Sequence, residues 1–86
     1  MKISVEITLT PLQNNFENVI IEFIKKLRAS KFIVLENPLS TQIYGDYDEL
    51  MTYLTEEIKL SFESQENILL NMKIVKSDRS NYDRNY

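Results

Sequence analysis

The chain has 86 residues with neither cysteine nor histidine, a formal net charge of −3 and a pI of about 4.9. That length makes one small domain with a thin core, which neither a disulfide nor a thiolate- or imidazole-bound metal can staple, so self-association is expected to help hold it together. The acidic balance argues against a nucleic-acid partner, whose footprint is a basic patch; no apolar run approaches the ~20 residues of a membrane span, and no signal-peptide pattern appears, so a cytoplasmic protein is expected.

Residues 2–9 alternate strictly, with Ile3, Val5, Ile7 and Leu9 on one side and Lys2, Ser4, Glu6 and Thr8 on the other. This is a strand with one buried face. Pro11, lacking an N–H for the ladder, is expected to stop it. Asn14 or Asn15 is placed to cap the next element, with Glu17 three residues after Asn14. Phe16, Val19, Ile20, Phe23, Ile24 and Leu27 then form one helical stripe, and Lys25, Lys26 and Arg28 cluster late, where they suit the helix dipole.

Phe32–Glu36 is a short strand-prone run, Asn37-Pro38 marks a turn, and Ser40–Tyr44 suits a second strand, so the two read as a hairpin. Gly45, the only glycine, is expected to act as a conformational pivot between this strand and a helix. Asp46 and Glu49 have the spacing of a capping box. The helix runs from about Tyr47 to Phe62, with Tyr47, Leu50, Met51, Leu54, Ile58 and Phe62 as its apolar stripe. Ile68–Val75 is the last strand, with Ile68, Leu70, Met72 and Ile74 sharing one face. Residues 77–86 form a polar tail, read as a frayed end whose two tyrosines, Tyr82 and Tyr86, alternatively offer a contact to a neighbouring subunit.

The order β-α-β-β-α-β over residues 1–76 predicts an α+β, ferredoxin-like sandwich. Four antiparallel strands take the spatial order 4-1-3-2, with both helices on one face. The first and last strands read as the central-looking pair. The uncovered face then carries Ser4, Glu6, Thr8, Asn71 and Lys73, with apolar Leu69 and Val75 beside them. From the hairpin, either Ser40, Gln42 and Tyr44 or Thr41 and Ile43 face outward; the second set is more apolar and is placed inward. One reading of this face is an ordinary wet side, with Glu6 and Lys73 as a cross-strand ion pair. In the other, two subunits bring these faces together, and Glu6, Thr8, Asn71 and Tyr44 line a semi-enclosed site for a polar heteroaromatic ligand.

No catalytic constellation is present: no nucleophile with a histidine base, no phosphate-gripping glycine loop and no metal-ligand cluster. No enzyme and no cofactor are therefore expected. An RNA-recognition surface would need aromatics on the open face of the central strands, where Tyr44 is the one candidate.

Three stretches together resemble the YkoF-like thiamine-binding proteins. They are Val5-Glu-Ile-Thr-Leu-Thr-Pro-Leu12, Ser40-Thr-Gln-Ile-Tyr-Gly-Asp-Tyr-Asp-Glu-Leu-Met51, and Ile68–Val75 followed by Asp78-Arg79. The second is the most specific. The resemblance implies a ferredoxin-like fold, assembly as a homodimer or homotetramer, binding of thiamine or its hydroxymethylpyrimidine half, and no catalysis. It carries Glu6, Thr8, Ser40, Thr41 and Asn71 over as polar site positions; Ser40 stands where the family often has glycine, and Tyr44 where it often has an acid. Glu6 would accept from an aminopyrimidine, Asn71 would donate and accept, Thr8 or Thr41 would supply a hydroxyl, and the Tyr44 ring would stack on the ligand. The rival expectation is an interaction module whose sheet face serves self-assembly alone.

Overall fold

A computed structural model describes residues 1–12 and 16–81 of the chain. The elements are β1 (Lys2–Pro11), α1 (Phe16–Arg28), β2 (Ile33–Glu36), β3 (Thr41–Asp46), α2 (Tyr47–Glu63) and β4 (Ile68–Val75). All sheet pairings are antiparallel, and the strands lie in the order β2-β3-β1-β4. This is the expected ferredoxin-like α+β sandwich, with both helices on one face of the sheet. The cap at Asn14 or Asn15 and the tyrosines Tyr82 and Tyr86 lie outside the described residues.

The strict alternation of β1 is what anchors the sandwich. Ile3, Val5, Ile7 and Leu9 are buried together with Ile43 of β3, Phe23 and Leu27 of α1, and Leu50 and Leu54 of α2. Each fully buried aliphatic side chain here contributes roughly 1.5–3 kcal/mol relative to exposure. The hairpin parity follows from the register. Ile43 opposes Val5 and Thr41 opposes Ile7, so this pair points toward the helices, while Gln42 and Tyr44, opposite Glu6 and Ser4, point away. The turn between β2 and β3 forms at Asn37-Pro38, where the Asn37 side-chain oxygen accepts from the backbone N–H of both Leu39 and Ser40 at 2.9 Å.

Several local expectations fail for identifiable reasons. Pro11 does end β1, but as its last paired residue, opposite Ile68 and beyond the last β3 partner, where a missing N–H disrupts no second ladder. β4 is an edge strand, so β1 and β3 form the central pair. Met72 and Ile74 share the helix side with Ile7 and Val5 yet remain 38% and 43% exposed, because they sit at the margin of the helical cover. The ends of the α2 stripe, Tyr47 and Phe62, are exposed for a similar reason, and Leu50 and Leu54 carry the burial.

Gly45 is not a pivot. It lies within β3 and its φ is outside the left-handed region. Its lack of a side chain makes room for the Phe32 ring, whose Cδ1 would stand 2.6 Å from a Cβ at this position. Asp46 holds the N-cap position of α2 with extended backbone but makes no side-chain cap bond. Its carboxylate instead meets the Met1 ammonium at 3.0 Å, while the Tyr47 N–H donates to the Met1 carbonyl at 2.8 Å. Glu49 is drawn outward to Lys31. The capping box is therefore replaced by contacts with the chain start and with the segment before β2.

Candidate functional site

The face of the sheet turned away from the helices brings together five of the six residues singled out from the sequence. β1 contributes Glu6 and Thr8. The first residue before β3 is Ser40, and Tyr44 follows within it. Asn71 stands opposite Thr8 on β4. Thr41 is the exception: it is buried on the helix side, opposite Ile7. It does share a cleft of about 170 Å³ with Thr8 and Ser40, at the end of the strands between α1 and the β2–β3 turn.

Glu6 is the hub of the open face. One carboxylate oxygen accepts from the Ser40 hydroxyl at 3.1 Å, and the other lies 3.7 Å from the Lys73 ammonium. Lys73 opposes Glu6 directly across the β1–β4 ladder, so the expected cross-strand ion pair forms. It is exposed and therefore worth little to stability. The carboxylate keeps accepting capacity for a further donor.

Tyr44 occupies a different environment. Its hydroxyl donates to the Gln42 side-chain oxygen at 3.3 Å. Burial pushes its phenol pKa up, and the carboxylates of Asp78 and Glu6 act in the same direction. Only 7% of Tyr44 is exposed, and Ser4, its partner across the ladder, is equally buried. The other polar positions of this face are half-buried or exposed.

The cover comes from residues 77–79, which are tied to the sheet where a frayed end was expected. The Ser4 hydroxyl donates to the Ser77 carbonyl at 2.7 Å and accepts from the Arg79 backbone N–H at 2.8 Å. Ser77 turns back immediately after β4, its N–H donating to the Val75 carbonyl. Ser80 then donates to Asp78 from both its backbone and its hydroxyl, which holds the Asp78 carboxyl below its ordinary value, with a smaller contribution from Lys2. Stacking over the whole Tyr44 ring would require this segment to move aside.

Strand alternation already placed Ser4 and Gln42 on the open face, though not among the candidate site residues. The 77–79 backbone was not expected there, since no local pattern announces a fold-back. The apolar margins of the face are Ile33 and Leu35 on β2 and Leu69 and Val75 on β4, all exposed.

A family model described as thiamine-binding protein matches residues 5–84. Among solved structures, a Streptococcus pneumoniae protein from structural genomics is 28% identical with a TM-score of 0.83, covering 91% of this chain and 89% of its own. A Thermotoga maritima protein, described as a candidate for thiamine biosynthesis or salvage, is 20% identical with a TM-score of 0.80, over 90% of this chain and 85% of its own. A hypothetical protein of Methanocaldococcus jannascii is 19% identical with a TM-score of 0.73, over 95% and 84%. No curated protein matches the chain.

Proposed function

The chain belongs to the thiamine-binding protein family, and on that premise we propose that it binds thiamine or the hydroxymethylpyrimidine half of thiamine, without catalysis, as a cytoplasmic homodimer or homotetramer. The observation that carries the reading is the convergence of Glu6, Thr8, Ser40 and Asn71 on one open face, with Tyr44 beside them. A carboxylate to accept from an exocyclic amine, hydroxyls and an amide are the groups that orient an aminopyrimidine. The description of the Thermotoga protein supports a ligand of the same kind. Thr41 serves this site from behind, at the strand end, and not on the open face.

Self-association is supported by the composition of the face. A polar strip centred on Glu6 runs between the exposed apolar margins at Ile33 and Leu35 and at Leu69 and Val75. A second subunit laid on those margins would bury them and enclose the strip. The same margins favour the second reading, a module that only assembles.

Calorimetric titration with thiamine and with hydroxymethylpyrimidine separates the two readings. The binder predicts heat and saturation with at least one ligand; no heat up to millimolar concentration refutes it. Glu6→Ala should weaken binding about tenfold or more, the loss of a charged hydrogen-bond acceptor, while stability stays within ~0.5 kcal/mol of wild type because the side chain is part-exposed. Light scattering at micromolar protein tests the assembly, and a monomer there counts against both readings.

A further inference from the structure

The segment just past β4 is placed in a way that the binding reading does not use. Ser77 and Arg79 are both bonded to the one hydroxyl of Ser4, so Asp78 is held from both sides over the sheet. Asp78 and Tyr44 line a common cleft of about 300 Å³ with Lys2, Ile33 and Gly45. Through the Tyr44–Gln42 hydrogen bond, the same ring reaches toward the position facing Glu6. Tyr44 therefore shares a cleft with Asp78 and a hydrogen bond with the residue opposite Glu6, and both carboxylates act on its phenol.

Three carboxylates, Asp46, Glu49 and Asp78, surround this cleft with three cations, and two of the carboxylates are in direct ion pairs. Asp46 is engaged by the Met1 ammonium and Glu49 by Lys31. Lys2 is the cation that acts on Asp78, and the carboxylate's hydrogen bonds come from Ser80, a neutral residue. No direct ion pair to Asp78 forms among the described residues, which leaves its charge available to a cation on the ligand.

We propose that Asp78, clamped beside Tyr44 by Ser4, is a specificity-determining residue that makes the site prefer a cationic ligand over its neutral pyrimidine fragment. This rests on the binding reading above. Thiamine carries a fixed positive charge on its thiazolium ring; hydroxymethylpyrimidine shares the aminopyrimidine but not that charge. The Glu6 strip reads the group the two ligands share. Asp78 reads the group that separates them, as an exposed carboxylate in no direct ion pair at the rim of the same cleft. The clamp holds the carboxylate in place before the ligand arrives, which reduces the ordering that binding requires.

The experiment is a calorimetric comparison of thiamine and hydroxymethylpyrimidine on wild type, Asp78→Asn and Ser4→Ala, with amide exchange at Arg79 and circular dichroism as controls on the segment and the fold. Wild type should prefer thiamine. Asp78→Asn should lower thiamine affinity about five- to tenfold and leave hydroxymethylpyrimidine within about twofold, with the difference shrinking at high salt. Ser4→Ala should unprotect the Arg79 amide and lose part of the same preference. Equal weakening of both ligands by Asp78→Asn, no change, or tighter thiamine binding each overturns the proposal, the last by showing that the segment obstructs the site. If wild type binds both ligands equally, this inference fails and the binding reading stands. If it binds neither, the binding reading fails and takes this inference with it.

Discussion

Gly45→Ala is the sharpest test of how the strand-to-helix joint is built. The added Cβ would meet Phe32 Cδ1 at 2.6 Å and Cε1 at 3.0 Å, with Leu50 Cβ at 3.6 Å. Ordinary contact begins near 3.4 Å, so the ring must retreat by about 0.8 Å. It is not free to do so, since it packs against Tyr53 with ring centroids 5.6 Å apart and against the core cluster. Overpacking of this kind costs about 1–3 kcal/mol. For a domain of this size that lowers Tm by roughly 5–20 °C. Urea unfolding should show a lower midpoint at unchanged slope, since the surface exposed on unfolding does not change. The decisive arm is the same substitution in a Phe32→Ala background. With the ring gone, alanine should be neutral or stabilise by up to ~0.5 kcal/mol, because glycine in a strand carries an entropic cost. The coupling between the two sites should therefore reach ~1 kcal/mol or more. An equal loss in both backgrounds would refute the argument and return the glycine's role to its backbone.

Other outcomes follow from the same structure. Leu54→Ala, at a fully buried position of α2, should cost about 2–5 kcal/mol in urea unfolding, whereas Leu60→Ala on the exposed side of that helix should change stability by less than ~0.5 kcal/mol. The Tyr44 and Tyr53 phenols are both raised above the ordinary 10.0, chiefly by burial, so the neutral forms favour the folded state. Stability from this source is complete below pH 10 and falls as pH rises through the folded values. Tyr53→Phe, which also removes a 2.7 Å bond to the Lys26 carbonyl, should flatten that alkaline decline in urea midpoints. At the acid end, the hydrogen bond from Arg28 holds Glu36 below its ordinary 4.5. That contribution is present above 4.5 and lost as pH falls through the folded value, so Arg28→Met should shallow the acid limb of the same measurement.

The expectations that held were those in which every residue of an element pointed to the same answer. β1 alternates without a break, and α2 and β4 were bounded within a residue or two, because period and punctuation agreed. Three-dimensional neighbours reassigned the joint at Gly45, Asp46 and Glu49. Glycine answers equally to a positive φ and to a close approach, and an aspartate at an N-cap is free to pair with whatever ammonium the fold delivers. Five of the six candidate residues lie on the open face, as strand alternation places them. Thr41 was placed inward by its neighbour Ile43, and the register puts it there.

Composition and spacing therefore determined the element order, the sandwich and the face left open, while three short motifs carried the resemblance to the family. These rest on local periodicity and on short motifs, which the chain carries wherever it folds. The tertiary structure decided which polar residues meet. It joined Glu6 to Ser40 across 34 positions and to Lys73 across the β1–β4 ladder, and laid Ser77–Arg79 back on Ser4 across more than 70. The physical reason is that a hydroxyl, a carbonyl or a carboxylate has no preferred partner along the sequence. Its partner is chosen by the apolar core, whose packing sets the strand order and register that bring distant residues within hydrogen-bonding reach.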